Sequence, residues 1–144
     1  MNWKLNEQVC FLLYSSSRHV IKQYKELLDP LNLTYTQYVT MIALWEENHQ
    51  TVSALGKKLS LDSGTLTPLL KKLEAEGRIV RYRDLEDERK VWIDLTDDGK
   101  ALALKAEHVP QTLLKTFEGQ EHDIYELHHL LIKLNQQNEE ENNE

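Results

Sequence analysis

Apolar residues recur at helical spacing over most of this chain. Residues 3–28 contain no proline or glycine and carry apolar side chains every three or four positions, which predicts one long first helix. Asp29 and Pro30 end that helix, because the residue before a proline disfavours helical backbone angles. A second helix begins after Thr34, whose spacing to Gln37 matches a capping box, the reciprocal pair of side-chain bonds that closes a helix start.

The central stretch, residues 51–96, predicts two further helices joined by a short turn. The first covers residues 52–59 with Thr51 as its N-cap, and the second runs until Gly77, a residue suited to the left-handed position that follows many helices. Pro68 removes an internal hydrogen bond if the second helix begins directly after the turn, and it is tolerated if the helix begins two residues later. In both cases the start of this helix is irregular and rich in small side chains.

A β-hairpin follows the second of these helices. Residues 79–83 and 90–95 predict its two strands, since apolar positions alternate with the period of a half-buried strand, and residues 84–89 form a charged loop. Two short helices followed by such a hairpin make a winged helix-turn-helix. The expected fold class is therefore mainly α with a small β-hairpin wing (α+β).

The rest of the chain is predicted to be helical. Thr96 caps a helix that continues towards Phe117 and is interrupted by Pro110, and a last helix covers residues 121–136. We expect the polar tail, residues 137–144, to fray.

The two ends of the chain are expected to form a dimer. Long apolar helices at chain ends often pack on a partner subunit, so residues 1–30 and 97–144 are assigned to a helical dimerisation region. Residues 31–96 are assigned to the winged helix-turn-helix. Together they make the single compact domain expected of 144 residues.

Charge is unevenly distributed along the chain. The net charge of −7 disfavours binding to nucleic acid, whose phosphates attract basic residues. Residues 56–90, however, contain nine basic and seven acidic residues, whereas the rest contains eight basic and 17 acidic ones. No apolar run approaches the ~20 residues that span a bilayer, and no secretory signal opens the chain. We therefore expect a cytoplasmic protein without membrane contact.

The motif predicts how double-stranded DNA would be bound. In a helix-turn-helix the second helix enters the major groove, and its first turn offers backbone N–H groups to phosphates. Arg89, on a thin hairpin, can reach the minor groove, with Asp87 placed to hold it. The candidate first-turn residues are Asp62, Ser63, Gly64, Thr65, Thr67 and Pro68. The candidate backbone clamps are Lys71, Lys72, Arg81 and Arg83. The alternative is a winged helix used only for protein contacts.

Two segments resemble the MarR family of dimeric transcription regulators. They are LDSGTLTPLLKKLEAEG and IVRYRDLEDERKVWIDLTDDG, with the family's Glu-Gly pair, its wing Asp-x-Arg and its Leu-Thr-x-x-Gly. The resemblance covers nearly the whole chain. It implies a homodimer on a pseudo-palindromic operator, acting by family habit as a repressor, with Ser63, Thr65, Thr67 and Pro68 at the major groove and Arg89 at the wing tip.

Cys10 is the only cysteine, so it has no internal disulfide partner. Tyr14 is four residues further on and lies on the same helix face. Tyr24 is fourteen residues from Cys10, roughly on the same face but ~21 Å along the axis. Tyr24 can therefore contact Cys10 only if a second copy of the helix runs antiparallel beside the first, as two-fold symmetry permits.

The segment NEQVCFLLYSSS resembles the one-cysteine, organic-hydroperoxide-sensing branch of the MarR family and related staphylococcal global regulators. That resemblance implies a redox sensor in which Tyr14, Tyr24 and Tyr35 hold the Cys10 thiolate. A hydroperoxide would oxidise the thiolate to a sulfenic acid, and a small-molecule thiol would cap it as a mixed disulfide.

Three alternatives stay open at this stage. Cys10 is structural only, and the regulator responds to a phenolic or other ligand. The protein is a thiol peroxidase, although nothing resembles a resolving thiol or a nearby base. The protein senses a metal through His122 and His129, which lie ~10 Å apart on one helix face, too far for one ion. We expect no cofactor, no metal and no enzymatic activity.

Overall fold

The computed structural model describes residues 3–142 and consists of helices with one small sheet. This confirms the predicted fold class. Short 3₁₀ segments lie at Leu5–Glu7, Asp29–Leu31 and Lys115–Phe117. The regular elements are α1 (Val9–Leu28), α2 (Tyr35–Glu46), β1 (Gln50–Thr51), α3 (Val52–Leu59), α4 (Ser63–Ala75), β2 (Ile79–Arg83), β3 (Val91–Leu95), α5 (Asp97–Ala106), α6 (His108–Leu114) and α7 (Glu121–Asn142).

The first helix is shorter than its apolar spacing predicted. Helix α1 begins at Val9 rather than at residue 3, because Gln8 has extended backbone angles (φ −90°, ψ 109°) that separate it from the 3₁₀ segment before it. The predicted end at Leu28 is confirmed. Cys10 is therefore the second residue of α1 and lies in its first turn.

Helices α2 and α3 begin as predicted. The Thr34 hydroxyl accepts a hydrogen bond from the Gln37 backbone N–H at 3.3 Å, and the Thr34 N–H donates to the Gln37 side chain at 2.8 Å. The Thr51 hydroxyl accepts from the Ala54 N–H at 3.1 Å. Each cap satisfies backbone groups that a helix start leaves without a partner.

Helix α4 takes the first of the two predicted starting points. Asp62 is its N-cap, with Oδ1 accepting from the Thr65 N–H at 2.8 Å, so Pro68 lies inside the helix. A proline there has no N–H to donate to the Gly64 carbonyl, four residues earlier. Leu66, Leu70 and Leu73 are buried, which holds α4 on the core despite the missing bond.

The sheet has a strand that the sequence pattern did not predict. The order is β1-β3-β2, all antiparallel, and Ile93 of β3 pairs with Gln50 on one side and Arg81 on the other. Strand β1 has two residues, too few to display an alternating pattern. The hairpin itself is confirmed, with Val91 rather than residue 90 as the first residue of β3.

The C-terminal helices differ from prediction in two places. The break between α5 and α6 falls at Glu107, and Pro110 lies in the first turn of α6, where its missing N–H costs little. Helix α7 continues to Asn142, beyond the predicted end at residue 136, and residues 143 and 144 lie outside the described part.

The described residues form two compact units, divided between Val109 and Pro110. The first unit contains a continuous buried core. Its largest members come from the three helices and the two hairpin strands of the winged helix-turn-helix and from both flanking helices, α1 and α5: Leu28, Met41, Leu44, Leu55, Leu66, Leu70, Leu73, Ile79, Ile93 and Leu102. In the second unit, α7 carries apolar side chains that are mostly exposed. The predicted grouping of residues 1–30 with the C-terminal helices stays a prediction about a dimer.

Gly99 lets the start of α5 approach the start of β2. Its N–H donates to the Thr96 hydroxyl at 3.0 Å, and its carbonyl accepts from the Trp45 indole N–H at 2.9 Å. A Cβ at this position would overlap the carbonyl oxygen of Arg78, so no larger residue fits without backbone movement.

Replacing Gly99→Ala should lower the free energy of unfolding by about 2 kcal/mol, because overpacking a rigid backbone contact costs in this range. Gly64→Ala is the matched control. It adds a Cβ to an exposed helical glycine, whose new atom meets only the Asp62 carboxylate at 3.3 Å, and it should leave stability unchanged or raised. Chemical denaturation measures both, and a Gly99→Ala protein as stable as the parent would contradict the packing described.

Candidate DNA interface and cysteine site

The first turn of α4 is exposed, as the helix-turn-helix pattern predicted. Ser63, Gly64, Thr65 and Pro68 are exposed and Thr67 is half-buried. Asp62 differs from its neighbours because its carboxylate caps the helix and is occupied by the Thr65 N–H. The structure therefore gives Asp62 the role of N-cap of α4. A contact of Asp62 or of the other first-turn residues with DNA stays a prediction.

The predicted backbone clamps fall into two groups. Lys71 and Lys72 are exposed on α4. Arg81 is not free, because its guanidinium lies 3.1 Å from Glu74 Oε1 and its backbone N–H donates to Glu74 Oε2 at 2.9 Å. This pair links α4 to β2, so Arg81 has a structural role in positioning the hairpin. Its predicted contact with a DNA phosphate is a separate role that stays a prediction. Arg83 is exposed and donates to the Glu88 carbonyl at 2.8 Å.

Two carboxylates organise the wing loop. Asp84 Oδ1 accepts from the N–H groups of Glu86 (2.9 Å) and Asp87 (3.1 Å), and its Oδ2 accepts from the Trp92 indole at 2.8 Å. The Trp92 bond, followed by these backbone bonds, lowers the pKa of Asp84 to about 2. The predicted contact of Asp87 with Arg89 is present, with Oδ1 accepting from the Arg89 N–H and Nε, each at 3.1 Å.

Arg89 is presented at the tip of the wing. Its side chain is 92% exposed although Asp87 holds its Nε. The side-chain bond from Arg89, followed by the backbone bond, lowers the pKa of Asp87. A guanidinium that is exposed and yet oriented suits insertion into a narrow groove.

Sequence reasoning missed Asp84, which it treated as one charge among several in the loop. The available signal was the residue type, because an aspartate that opens a loop often forms an Asx turn, in which its carboxylate accepts from the backbone two residues later. It also missed a cluster on the outer face of the sheet, where the rings of His49 and Trp92 stack with centroids 4.3 Å apart. Those residues are distant in the chain, so no local pattern reveals them.

Cys10 lies exposed in the first turn of α1. Tyr14, one turn further on, is also exposed, and the Arg18 guanidinium lies 5.5 Å from the centre of its ring. Cys10 and Tyr14 are thus four residues apart on one continuous helix, and their joint role at a thiolate stays a prediction.

Tyr24 and Tyr35 are brought together, but at the other end of α1. Their ring centroids are 4.9 Å apart, and Tyr38 lies 5.7 Å from Tyr24. Burial, and then the neighbouring Tyr35, raise the pKa of Tyr24; burial, followed by Tyr24 and Tyr35, raises that of Tyr38 to about 12. The Tyr24 phenol therefore keeps its proton and remains a hydrogen-bond donor at neutral pH.

Among residues 3–142 no three histidine, cysteine, aspartate or glutamate side chains gather in a way that could hold a metal ion. Within the same range no helix is both long and apolar enough to cross a membrane.

Comparisons with known proteins agree with this geometry. A family model described as transcriptional regulator SarA/Rot matches residues 22–106. An organic hydroperoxide resistance transcriptional regulator of Bacillus subtilis (strain 168) is 50% identical over 131 residues, covering 91% of this chain and 89% of the relative. The regulator SarZ of Staphylococcus aureus (strain NCTC 8325) is 46% identical over 101 residues, covering 70% of this chain and 68% of the relative.

Solved structures of similar proteins include complexes with DNA. Reduced AbfR bound to DNA is 34% identical, has a TM-score of 0.74 and covers 90% of this chain and 94% of its own. A variant of MarR from E. coli with operator DNA is 26% identical, with a TM-score of 0.80 and coverages of 92% and 99%. These matches, together with the exposed start of α4 and the organised wing, show that the chain belongs to the MarR family of transcription regulators, in the branch of the organic hydroperoxide resistance regulator and the SarZ proteins.

Proposed function

We propose that this protein is a dimeric transcriptional repressor whose operator binding is switched by oxidation of Cys10, with organic hydroperoxides as oxidants. The observation that carries the proposal is an exposed lone thiol in the first turn of α1, within the compact unit that also holds the winged helix-turn-helix. The similarity to a hydroperoxide resistance regulator supports the choice of oxidant. The similar protein AbfR has been solved in reduced, overoxidized and disulfide forms, which supports redox chemistry in this branch.

DNA binding would use α4 and the wing. The exposed small residues at the start of α4 let the helix backbone approach the major groove closely, and Lys71 and Lys72 lie further along the same helix. Arg89 at the wing tip would enter the adjacent minor groove. The carboxylates of Asp62 and Asp84 accept hydrogen bonds from within the protein, and Asp87 is paired with Arg89.

Exposed apolar side chains support a homodimer. In the single chain α1 exposes Val9, Leu12, Leu13 and Ile21, and α7 exposes Leu127, Leu130, Leu131, Ile132 and Leu134. An apolar face left exposed on a helix marks an interaction surface, and each of these two helices carries one. A two-fold axis also meets the requirement of a palindromic operator, whose half-sites lie about one DNA turn apart.

The dimer would complete the cysteine site. In one chain Tyr24 lies ~21 Å along the helix axis from Cys10, which no side chain can bridge. If α1 of the second copy runs antiparallel, the partner's Tyr24 and the partner's Tyr35 approach Cys10 together, because those two rings already pack on each other. Their phenols would then donate hydrogen bonds to the thiolate.

The peroxide is itself the oxidant in the proposed oxidation of Cys10, so the reaction needs no metal or cofactor. The Cys10 thiolate attacks one oxygen of ROOH, so an S–O bond forms as the O–O bond breaks. The sulfur is oxidised to a sulfenic acid, and the peroxide is reduced to ROH, which takes up a proton. A small-molecule thiol then forms a disulfide with Cys10 and releases water. A second thiol reduces that disulfide and restores the starting state.

Oxidation would reach the DNA-binding helix through packed rings. Tyr24 contacts Tyr35 and Tyr38 of α2, and Tyr38 contacts Trp45 near the end of that helix. Oxygen or a bulky thiol at the dimer seam would displace the partner's Tyr24 and with it α2. Since half-site spacing is geometrically strict, a small displacement of the two α4 helices weakens operator binding strongly.

Adding an organic hydroperoxide should release the protein from its operator, and a reducing thiol should restore the complex. Cys10→Ser should bind DNA in both conditions, because it contains no thiol at all. A gel shift on the protein's own promoter measures this. If Cys10→Ser is still released by peroxide, the switch lies elsewhere, and a regulator that binds a small ligand becomes the better interpretation.

Tyr24→Phe should slow Cys10 oxidation about tenfold, equivalent to about 1.4 kcal/mol of barrier, by removing one donor to the developing charge. The rate is followed by loss of free thiol. Tyr125→Phe is the matched control, since that phenol is exposed on α7 and should not alter the rate.

Mixed dimers test whether Tyr24 acts across the interface. A heterodimer of one Cys10→Ser chain and one Tyr24→Phe chain keeps a single complete site only if the cysteine uses the other chain's tyrosine. Its thiol should therefore react at the rate of the unaltered protein. Oxidation at the slow Tyr24→Phe rate would remove the cross-subunit site.

Arg89→Ala should weaken operator binding at least tenfold and reduce the dependence of affinity on salt, because an ionic contact with DNA is lost. Lys105→Ala, an exposed charge on α5 away from the wing, is the control and should change affinity little. Unchanged affinity of Arg89→Ala at moderate salt would rule out the wing contact.

A further inference from the structure

The outer face of the sheet carries a cluster that the proposed switch does not use. The His49 and Trp92 rings are stacked, with centroids 4.3 Å apart and planes within 3° of parallel. His49 Nδ1 lies 2.8 Å from Asp94 Oδ1, and the Tyr82 hydroxyl donates to Asp94 Oδ2 at 2.6 Å. Tyr82 and Trp92 are direct cross-strand partners. The four residues thus join both wing strands to the turn between α2 and β1.

That turn is itself firmly held. His49 has left-handed backbone angles (φ 60°), which are unfavourable for a residue with a Cβ and persist only where the surroundings impose them. On one side the Asn48 side chain accepts from the Leu95 N–H at 2.9 Å. On the other the buried Gln50 side chain donates to the Ala43 carbonyl of α2 at 3.0 Å. His49 is therefore anchored to the core between two fixed neighbours.

Trp92 connects this anchor to the wing loop. One side of its indole stacks on His49, while its Nε1–H donates to Asp84 Oδ2 at 2.8 Å. The other oxygen of Asp84 holds the N–H groups of Glu86 and Asp87. Asp87 in turn holds Arg89. A continuous series of contacts thus runs from the end of α2 to the tip of the wing.

We propose that Trp92, supported by His49, is a positioning residue for DNA recognition that holds the wing loop so that Arg89 is presented in its binding orientation. A two-stranded hairpin is only marginally ordered by itself. Fixing its loop beforehand lowers the ordering cost that binding would otherwise carry. The inference rests on the proposed placement of Arg89 at DNA.

A ligand site is the competing explanation, since a cavity of about 380 Å³ lies at this cluster. Its lining residues are His49, Tyr82, Arg83, Asp84, Leu85, Glu86 and Trp92. Both carboxylates at the cluster are already engaged: Asp84 by three donors and Asp94 by Tyr82 and His49. Because these side chains satisfy one another's hydrogen bonds, we interpret them as a structural support and not as a ligand site. We call the contacts of His49, Trp92 and Asp84 the brace.

The test is a double-mutant cycle on operator affinity. Trp92→Phe keeps an aromatic ring for His49 but removes the donor to Asp84, and it should weaken binding about three- to tenfold. In the Arg89→Ala background the same substitution should have no further effect, because the brace acts only through Arg89. Amide hydrogen exchange of Glu86 and Asp87 should become faster, while that of the buried strand residue Ile93 stays unchanged.

Two further variants control the cycle. Trp45→Phe also removes an indole donor, in this case to the Gly99 carbonyl, and any effect on affinity should be the same with and without Arg89. Asp84→Ala removes the acceptor of the Trp92 bond and of the two loop N–H bonds. It should weaken binding at least as much as Trp92→Phe, with the same dependence on Arg89.

The outcomes separate the two proposals. If Arg89→Ala weakens binding but Trp92→Phe and Asp84→Ala do not, the brace is wrong and the wing contact stands. If their effects add fully to that of Arg89→Ala, they act on DNA binding by another route and the brace is also wrong. If Arg89→Ala has no effect, the wing contact fails and the brace fails with it.

Discussion

The length of α1 is the constraint on which the proposed switch depends. A continuous helix from Val9 to Leu28 keeps Cys10 at one end and Tyr24 near the other, and a helix cannot shorten to bring them together. Tyr14 can come from the same helix, but the Tyr24 and Tyr35 phenols would have to come from a second copy. Redox sensing would then depend on dimerisation, because the surface of α1 that buries apolar side chains in the dimer would also complete the Cys10 site.

The DNA-binding region shows how an acidic protein can present a surface suited to phosphate. Of the acidic residues between residues 56 and 90, four have oxygens occupied within the protein: Asp62, Glu74, Asp84 and Asp87. These carboxylates cap α4, tie β2 to α4, fold the wing loop and orient Arg89. Their charge is used to build the interface, while Lys71, Lys72 and Arg89 remain exposed.

The wing and the cysteine region share one architectural device. In each, aromatic rings carry a contact from one element to another: Tyr24 to Tyr35 between α1 and α2, and His49 to Trp92 between the α2–β1 turn and β3. Both sets end on α2 or directly after it. Helix α2 contributes Tyr38, Met41 and Leu44 to the buried core, so a displacement at either end of it is transmitted through close-packed side chains.

The sequence by itself determined the helices, the hairpin, the N-caps at three threonines and the family resemblance, but not strand β1. Thr34, Thr51 and Thr96 were recognisable as N-caps because a cap acts over three residues, and the hairpin because its alternation is local. The same reliance on local pattern misplaced the start of α1, since apolar spacing continues through residues 3–8 while the backbone is interrupted at Gln8.

Only the tertiary structure decided which charges are free and which are engaged. It paired Arg81 with Glu74 and placed His49 against Asp94, 45 residues further along the chain. Such contacts are made between side chains whose distance depends on how whole helices and strands pack. Spacing along the chain carries no record of that distance, which is why the brace behind the wing could be found only in the folded protein.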